Sequence, residues 1–200
     1  SDALAVTRVP DAVYEALRES ILSQREAPGS AITEQAVAER FGVARPTAKV
    51  ALERLVADGL LRREAHKTAR VPELTRDDIV DLYANRAIVE EAALRTLAAD
   101  GVVPMAAIAA QRMLTDAATA ARSAAPGAEV PPALARADIA FHRALVEAQR
   151  SPRLARLHAL LMGEIELCIG QVLGHRLMAI DDVVTQHQGI LDAVAAGDPE

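Results

Sequence analysis

The chain has 200 residues, 51% of them hydrophobic and 25% charged, which suits one large or two small globular domains and excludes a disordered or low-complexity protein. One cysteine, Cys168, excludes an internal disulfide, and no leader or run of about 18 apolar residues is present, so the expected location is the cytoplasm with no membrane partner. The net charge of -6 hides an asymmetry: residues 40–70 carry eight bases against three acids, whereas from Glu73 onward acids outnumber bases 18 to 11. A basic module ahead of an acidic one points to a polyanion partner for the first part only.

In chain order, "DAVYEALRESIL" sets Val13, Leu17, Ile21 and Leu22 at helical spacing, and Pro28-Gly29 in "REAPGSAI" ends that stretch. Thr33 is suited to cap a second helix, "EQAVAERF", which stops at Gly42, a residue that accepts the left-handed C-cap. A third helix, "RPTAKVALERLVADG", has Pro46 in its first turn, where a missing N–H is harmless. Its buried stripe is Ala48, Ala51, Leu52, Leu55 and Val56. Two short helices around a tight turn make a helix-turn-helix, whose second helix can enter the DNA major groove. With Ala48, Leu52 and Leu55 inward, Arg45 and Lys49 share the outward face with Thr47 nearby, where bases and phosphates are contacted. "LLRRE" and "TARV" then read as two short strands around "AHK", a wing carrying His66 and Lys67.

From Thr75 onward five segments are helical in period, punctuated by Gly101, Pro126-Gly127, Pro131-Pro132, Ser151-Pro152 and Gly174. The fold class is therefore mainly α: a winged helix-turn-helix over residues 1–72, then an all-helical bundle over 73–200. The chain starts at Ser1-Asp2 without methionine and stops just past a helical segment, as a trimmed piece of a longer protein does.

In the bundle, "ARADIAFHRALVEA" puts Asp138 and His142 one helical turn apart on a common face. His187, flanked by Ile190 and Leu191, has an inward face on the last segment. Imidazole and carboxylate are ligands that Zn2+, Ni2+ or Mn2+ accept, and bundles build metal sites from facing helices. Spacing alone leaves a metal site and an ordinary i,i+4 pair equally open. His158 and His175 read as satisfied or solvated histidines. A metal-dependent hydrolase needs a general base beside the metal, and no H-E-x-x-H or equivalent occurs. A constitutive DNA-binding protein with a purely dimerising bundle is the other alternative.

"SAITEQAVAERFGVARPTAKVALERLVADGLLRRE" resembles the winged-helix domain of GntR-family bacterial transcription regulators, through Pro28-Gly29, Glu34, Gly42-Val43, Arg45, Ala51-Leu52, Leu55 and Gly59-Leu60. The resemblance implies DNA contacts by Arg45, Thr47 and Lys49 on the recognition helix and by His66 and Lys67 on the wing. Ala44, Lys49 and Val50 depart from the usual serine, arginine and glutamate, and the wing lacks its common glycine. Lysine lacks the guanidinium fork that pairs bidentately with guanine, so base preference at Lys49 differs.

"LYANRAIVEEAALRTLAA", "ADIAFHRALVEA" and "QHQGILDAVAAGD" resemble the FCD effector domain of the FadR subgroup. That implies a divalent metal (Zn, Ni or Mn) on Asp138, His142 and His187, with a fourth histidine past Glu200. It also implies a small carboxylate effector, met by Arg86. The alternative for Arg86 is an internal pair with Glu90, four residues on. The expected protein is a repressor, not an enzyme, that binds a palindromic operator as a homodimer, since one winged helix reads only a short half-site.

Overall fold

The computed structural model describes residues 9–64, 67–123, 132–173 and 180–198, which fall into two compact units, Ser1–Thr75 and Arg76–Glu200. No single described helix is long and apolar enough to cross a membrane.

In the first unit α1 (Val9–Leu22) buries Val13, Tyr14, Leu17 and Ile21 along one stripe. Thr33 caps α2 (Glu34–Phe41), its hydroxyl accepting the Ala36 N–H at 3.1 Å. Gly42 ends that helix at φ 64°, a conformation costly to any residue with a Cβ. The chain re-enters a helix at once, α3 (Arg45–Ala57), whose cap Ala44 makes no side-chain bond. Both α1 and α2 pack on α3, where Ala48, Ala51, Leu52 and Leu55 are wholly buried and Val56 is half-buried. Each buried leucine contributes about 1.5–3 kcal/mol. The Tyr14 hydroxyl donates to Asp58 Oδ2 at 2.6 Å and ties α1 to the end of α3.

The wing differs from its expected form. Its ladder pairs β1 (Ala31–Ile32) with β2 (Ala69–Arg70), antiparallel, with Ala31 opposite Arg70. The "LLRRE" stretch joins only through Arg62, which exchanges two 2.9 Å backbone bonds with Arg70. Two residues of "AI" after a turn carry no alternation, so this partner strand was not foreseen.

The second unit is helical among the described residues: α4 (Arg76–Asp100), α5 (Met105–Ser123), α6 (Pro132–Glu147), α7 (Pro152–Leu173) and α8 (Ile180–Ala196). Helix α6 is central, packed by α4, α5 and α7, and α8 lies against α4 and α5. Phe141, Ala144 and Leu145 of α6 meet Leu97 of α4, Ala107 and Ala110 of α5, and Leu191 and Val194 of α8. The alanines let these helices approach closely, which a chain with 2% aromatics requires. Every expected helical segment forms, and Pro126-Gly127, Pro131 and Gly174 lie outside the described residues.

Candidate metal centre and nucleic-acid interface

A central helix presents its polar residues to the inside of a bundle wherever they fall on its packed faces, and α6 does this with Asp138 and His142. From α8, His187 reaches the same place, its ring stacked on Phe141 with centroids 4.0 Å apart. All three side chains are buried. His187 Nε2 lies 3.2 Å from Asp138 Oδ1 and 3.1 Å from His142 Nε2, and His142 Nε2 lies 3.8 Å from Asp138 Oδ1. The far nitrogen of His142, Nδ1, is 2.9 Å from Glu90 Oε2. The other oxygen of Glu90 is 2.9 Å from His158 Nε2, and Arg86 Nε stands 3.6 Å from Oε2.

Burial works against the charge on Glu90, yet hydrogen bonds from His142 and His158, with the pull of His142 and Arg86, outweigh it and hold the carboxyl down at about 2. Asp138 follows the same pattern: burial raises its pKa, while the hydrogen bond to His187 and the charges of His142, His187 and Arg86 bring it below the usual carboxylate range. For His187 burial is the leading cause and lowers its pKa, against the opposing hydrogen bond to Asp138. The centre is thus a pair of ionised carboxylates among imidazoles, one of which, His187, resists a second proton.

The donor set fits a divalent cation. Asp138 Oδ1, His142 Nε2 and His187 Nε2 lie 3.1–3.8 Å from one another, close enough for these three residues together to hold one divalent cation. The three atoms offer carboxylate and imidazole ligands. A groove of about 820 Å3 between α4 and α8 reaches His142 and is lined by Tyr83, Arg86, Glu90, Leu94, Ile190 and Val194. That volume suits a small molecule. Arg86 lies mostly buried against Glu90, with its guanidinium carbon 4.8 Å from the centroid of Tyr83.

In the first unit Arg45 and Lys49 are exposed on the outer face of α3 and Thr47 is half-buried beside them. Lys49 Nζ makes a long i,i+4 pair with Glu53 at 3.7 Å. Lys67 pairs with Glu64, and His66 lies outside the described residues. A second groove, about 430 Å3, is lined by Thr33, Gln35, Arg45, Arg63, Lys67 and Thr68. Arg63 Nε is buried there with no hydrogen-bond partner among the described residues.

Three residues of these sites were missed by sequence reasoning. Glu90 was seen only as a partner of Arg86, and His158 was set aside as satisfied or solvated. It is indeed satisfied, but by the carboxylate that also holds His142. Arg63 is one of an "RR" pair, and nothing in the sequence distinguishes which of the two faces a groove.

A helix-turn-helix with an exposed basic face, ahead of a bundle with a buried ligand set, is the make-up of a transcription regulator. Residues 10–71 match the family model described as bacterial regulatory proteins, gntR family, and residues 81–200 match the FCD domain. The chain belongs to the GntR family, in its FCD-bearing, FadR-like group. It is 28% identical over its full length, and over 84% of the relative, to a protein of Paenarthrobacter nicotinovorans named a probable D-xylose utilization operon transcriptional repressor. Over 68% of the chain and 77% of the relative it is 33% identical to an uncharacterized HTH-type transcriptional regulator of Agrobacterium vitis. Among solved structures, a putative GntR transcriptional regulator from Rhodococcus sp. RHA1 aligns with a TM-score of 0.74 at 26% identity, covering 96% of this chain and 89% of that one. The protein is a transcription regulator of this type and not an enzyme.

Proposed function

We propose that the protein is a repressor that binds a palindromic operator as a homodimer in the cytoplasm, and that a small carboxylate effector, held in a metal-containing pocket, alters its grip on DNA. In this reading residues 1–72 bind DNA and residues 73–200 bind the effector and dimerise. Arg45, Thr47 and Lys49 contact the major groove, while His66, Lys67 and Arg63 supply wing-side contacts. The relative named as a repressor supports the direction of control. Exposed Val80 and Ile88 on α4, with Leu157 and Leu160 on α7, support a dimer, because isolated chains rarely leave so many large apolar side chains in water on packed helices.

The observation that carries the reading is the triangle of Asp138 Oδ1, His142 Nε2 and His187 Nε2. These residues would hold Zn2+, Ni2+ or Mn2+, and the ion, when bound, supplies a Lewis-acid anchor for a carboxylate oxygen. Arg86 supports the other end of that contact: its guanidinium pairs with carboxylates bidentately and now leans on Glu90 at 3.6 Å, a distance too long for a strong bond. A carboxylate in the groove competes with Glu90 for it.

Native mass spectrometry of protein from its own host, with metal analysis, tests the proposal. The expected species is a dimer with one divalent ion per chain, which changes its affinity for selected duplex DNA when a carboxylate binds. A metal-free dimer whose DNA binding no carboxylate alters would point to the constitutive alternative, and a monomer would overturn both readings.

A further inference from the structure

The two candidate ligand histidines are not prepared alike. Ionised Glu90 has only acceptors to offer, and each of its oxygens faces one ring nitrogen at 2.9 Å, Nδ1 of His142 and Nε2 of His158. Both rings therefore donate to it. A hydrogen on Nδ1 of neutral His142 leaves Nε2 bare, and that bare atom is the one turned toward Asp138 and His187. His187 has no such support. Its Nδ1 is buried with no hydrogen-bond partner among the described residues. Its Nε2 stands 3.1 Å from the bare nitrogen of His142 and 3.2 Å from the carboxylate of Asp138. Three lone pairs converge at such distances only around a cation or a hydrogen, so whenever no metal is bound His187 carries its hydrogen on Nε2, the wrong atom for a ligand.

We propose that Glu90 is a positioning residue that presets His142 as a ready metal ligand, with His158 as the second ring holding Glu90 in place, whereas His187 becomes a ligand only by changing tautomer when a metal binds. This rests on the metal reading above. The change is balanced: His187 gives up the hydrogen on Nε2 and takes one on Nδ1, so the neutral ring keeps one hydrogen throughout. Outer carboxylates that fix a ligating histidine in this way typically govern metal affinity by 10–100-fold.

The test uses the intact chain stripped of metal and titrated with zinc chloride against a chelating dye, together with 15N NMR of the histidine rings. In the metal-free protein His142 should carry hydrogen on Nδ1, His158 on Nε2 and His187 on Nε2. On zinc addition only His187 should switch. Glu90→Gln offers one acceptor oxygen where two are needed, and zinc affinity should fall by about 10–100-fold. Wild-type protein that binds no zinc overturns the metal reading and this inference with it. If wild type binds zinc but Glu90→Gln binds it equally well, only the role of Glu90 is overturned. Should Glu90→Gln fail to fold, the wild-type rings decide alone: hydrogen on Nε2 of metal-free His142 refutes the presetting, and hydrogen on Nδ1 supports it.

Discussion

The two units bury different things. Among the described residues of the helix-turn-helix unit the buried side chains are apolar, apart from Tyr14 with its hydroxyl and Ser20, and the cations Arg45, Lys49 and Lys67 stand in solvent. In the helical unit Glu90, Gln111, Asp138, His142, His158, Glu166 and His187 are all buried. Burying polar and ionisable groups costs stability unless they are paired, so a chain built only to pack and dimerise gains nothing from so many. One unit meets its partner with its outside, on a surface that needs no special core. The other is built around a buried polar interior that a groove reaches.

If the comparison is right, damage to one unit should spare the work of the other. His142→Ala should abolish stoichiometric divalent metal and, with it, any effector response, while the metal-free protein still binds DNA. Leu52→Ala should do the reverse. It removes a wholly buried side chain from α3, costs about 2–5 kcal/mol, and should collapse DNA binding while metal content stays at its wild-type ratio. Metal analysis and a DNA-binding assay on the same two preparations check both, and a joint loss in either variant would mean that the units do not divide the work.

Acid sharpens the contrast. Glu90 and Asp138 have lowered pKa values in the fold, so the stability they contribute is present above the usual carboxylate range and is lost as pH falls through their folded values, for Glu90 about 2. His187, also lowered, protonates less readily folded than unfolded, so the unfolded chain gains on it once pH drops below about 6.5. All three act in one direction: the helical unit weakens from about pH 6.5 downward and more steeply below about pH 4.5. For Glu90 alone the shift corresponds to on the order of 3 kcal/mol. Metal retention should fall over the same upper range, because ligation needs neutral histidine. Tyr14 and Tyr83 are the only tyrosines, one in each unit, so urea melts of Tyr14→Phe and Tyr83→Phe by tyrosine fluorescence report the units separately. Equal acid sensitivity of the two signals would count against a polar centre confined to the bundle.

The same division explains what could be read in advance. Helices of 14 to 22 residues such as α1 and α7 repeat their apolar period often enough to be plain in one sequence. Asp138 and His142 were legible because a single turn joins them, and His187 because Ile190 and Leu191 flank it on one helical face and its segment resembles a known domain. Glu90 was not legible as a hub. It lies 52 residues from His142 and 68 from His158, so only packing of α4 on α6 and α7 brings the three together. The strand Ala31–Ile32 was missed for the opposite reason, being too short to carry a period.

On the DNA side, Arg45→Ala should weaken binding to a duplex selected by the wild-type protein by about 1–3 kcal/mol and relax preference at one base pair. Arg45 stands exposed in the first turn of α3, where side chains reach base edges; its contact with Gln35, at 3.5 Å, is too long to hold it back. Binding to random duplexes should fall much less. Equal losses on both would remove Arg45 from base readout and leave α3 as a phosphate-binding helix.

The smallest effect belongs to Lys67 and Arg63, which line one groove with Arg45. Lys67 pairs with Glu64, but both side chains are largely exposed and such a pair is worth no more than about 1 kcal/mol, so a phosphate can draw the ammonium away. Arg63 has a buried Nε with no hydrogen-bond partner among the described residues. Neither is on α3, and a phosphate contact carries no sequence information. Lys67→Ala and Arg63→Ala should therefore weaken selected and random duplexes alike, each lowering the dependence of log affinity on log salt by about one unit. Glu64→Gln should strengthen both slightly by freeing Lys67. A loss confined to the selected duplex would show that this groove reads bases, and the outward-facing unit would then use its wing as well as α3 to choose its site.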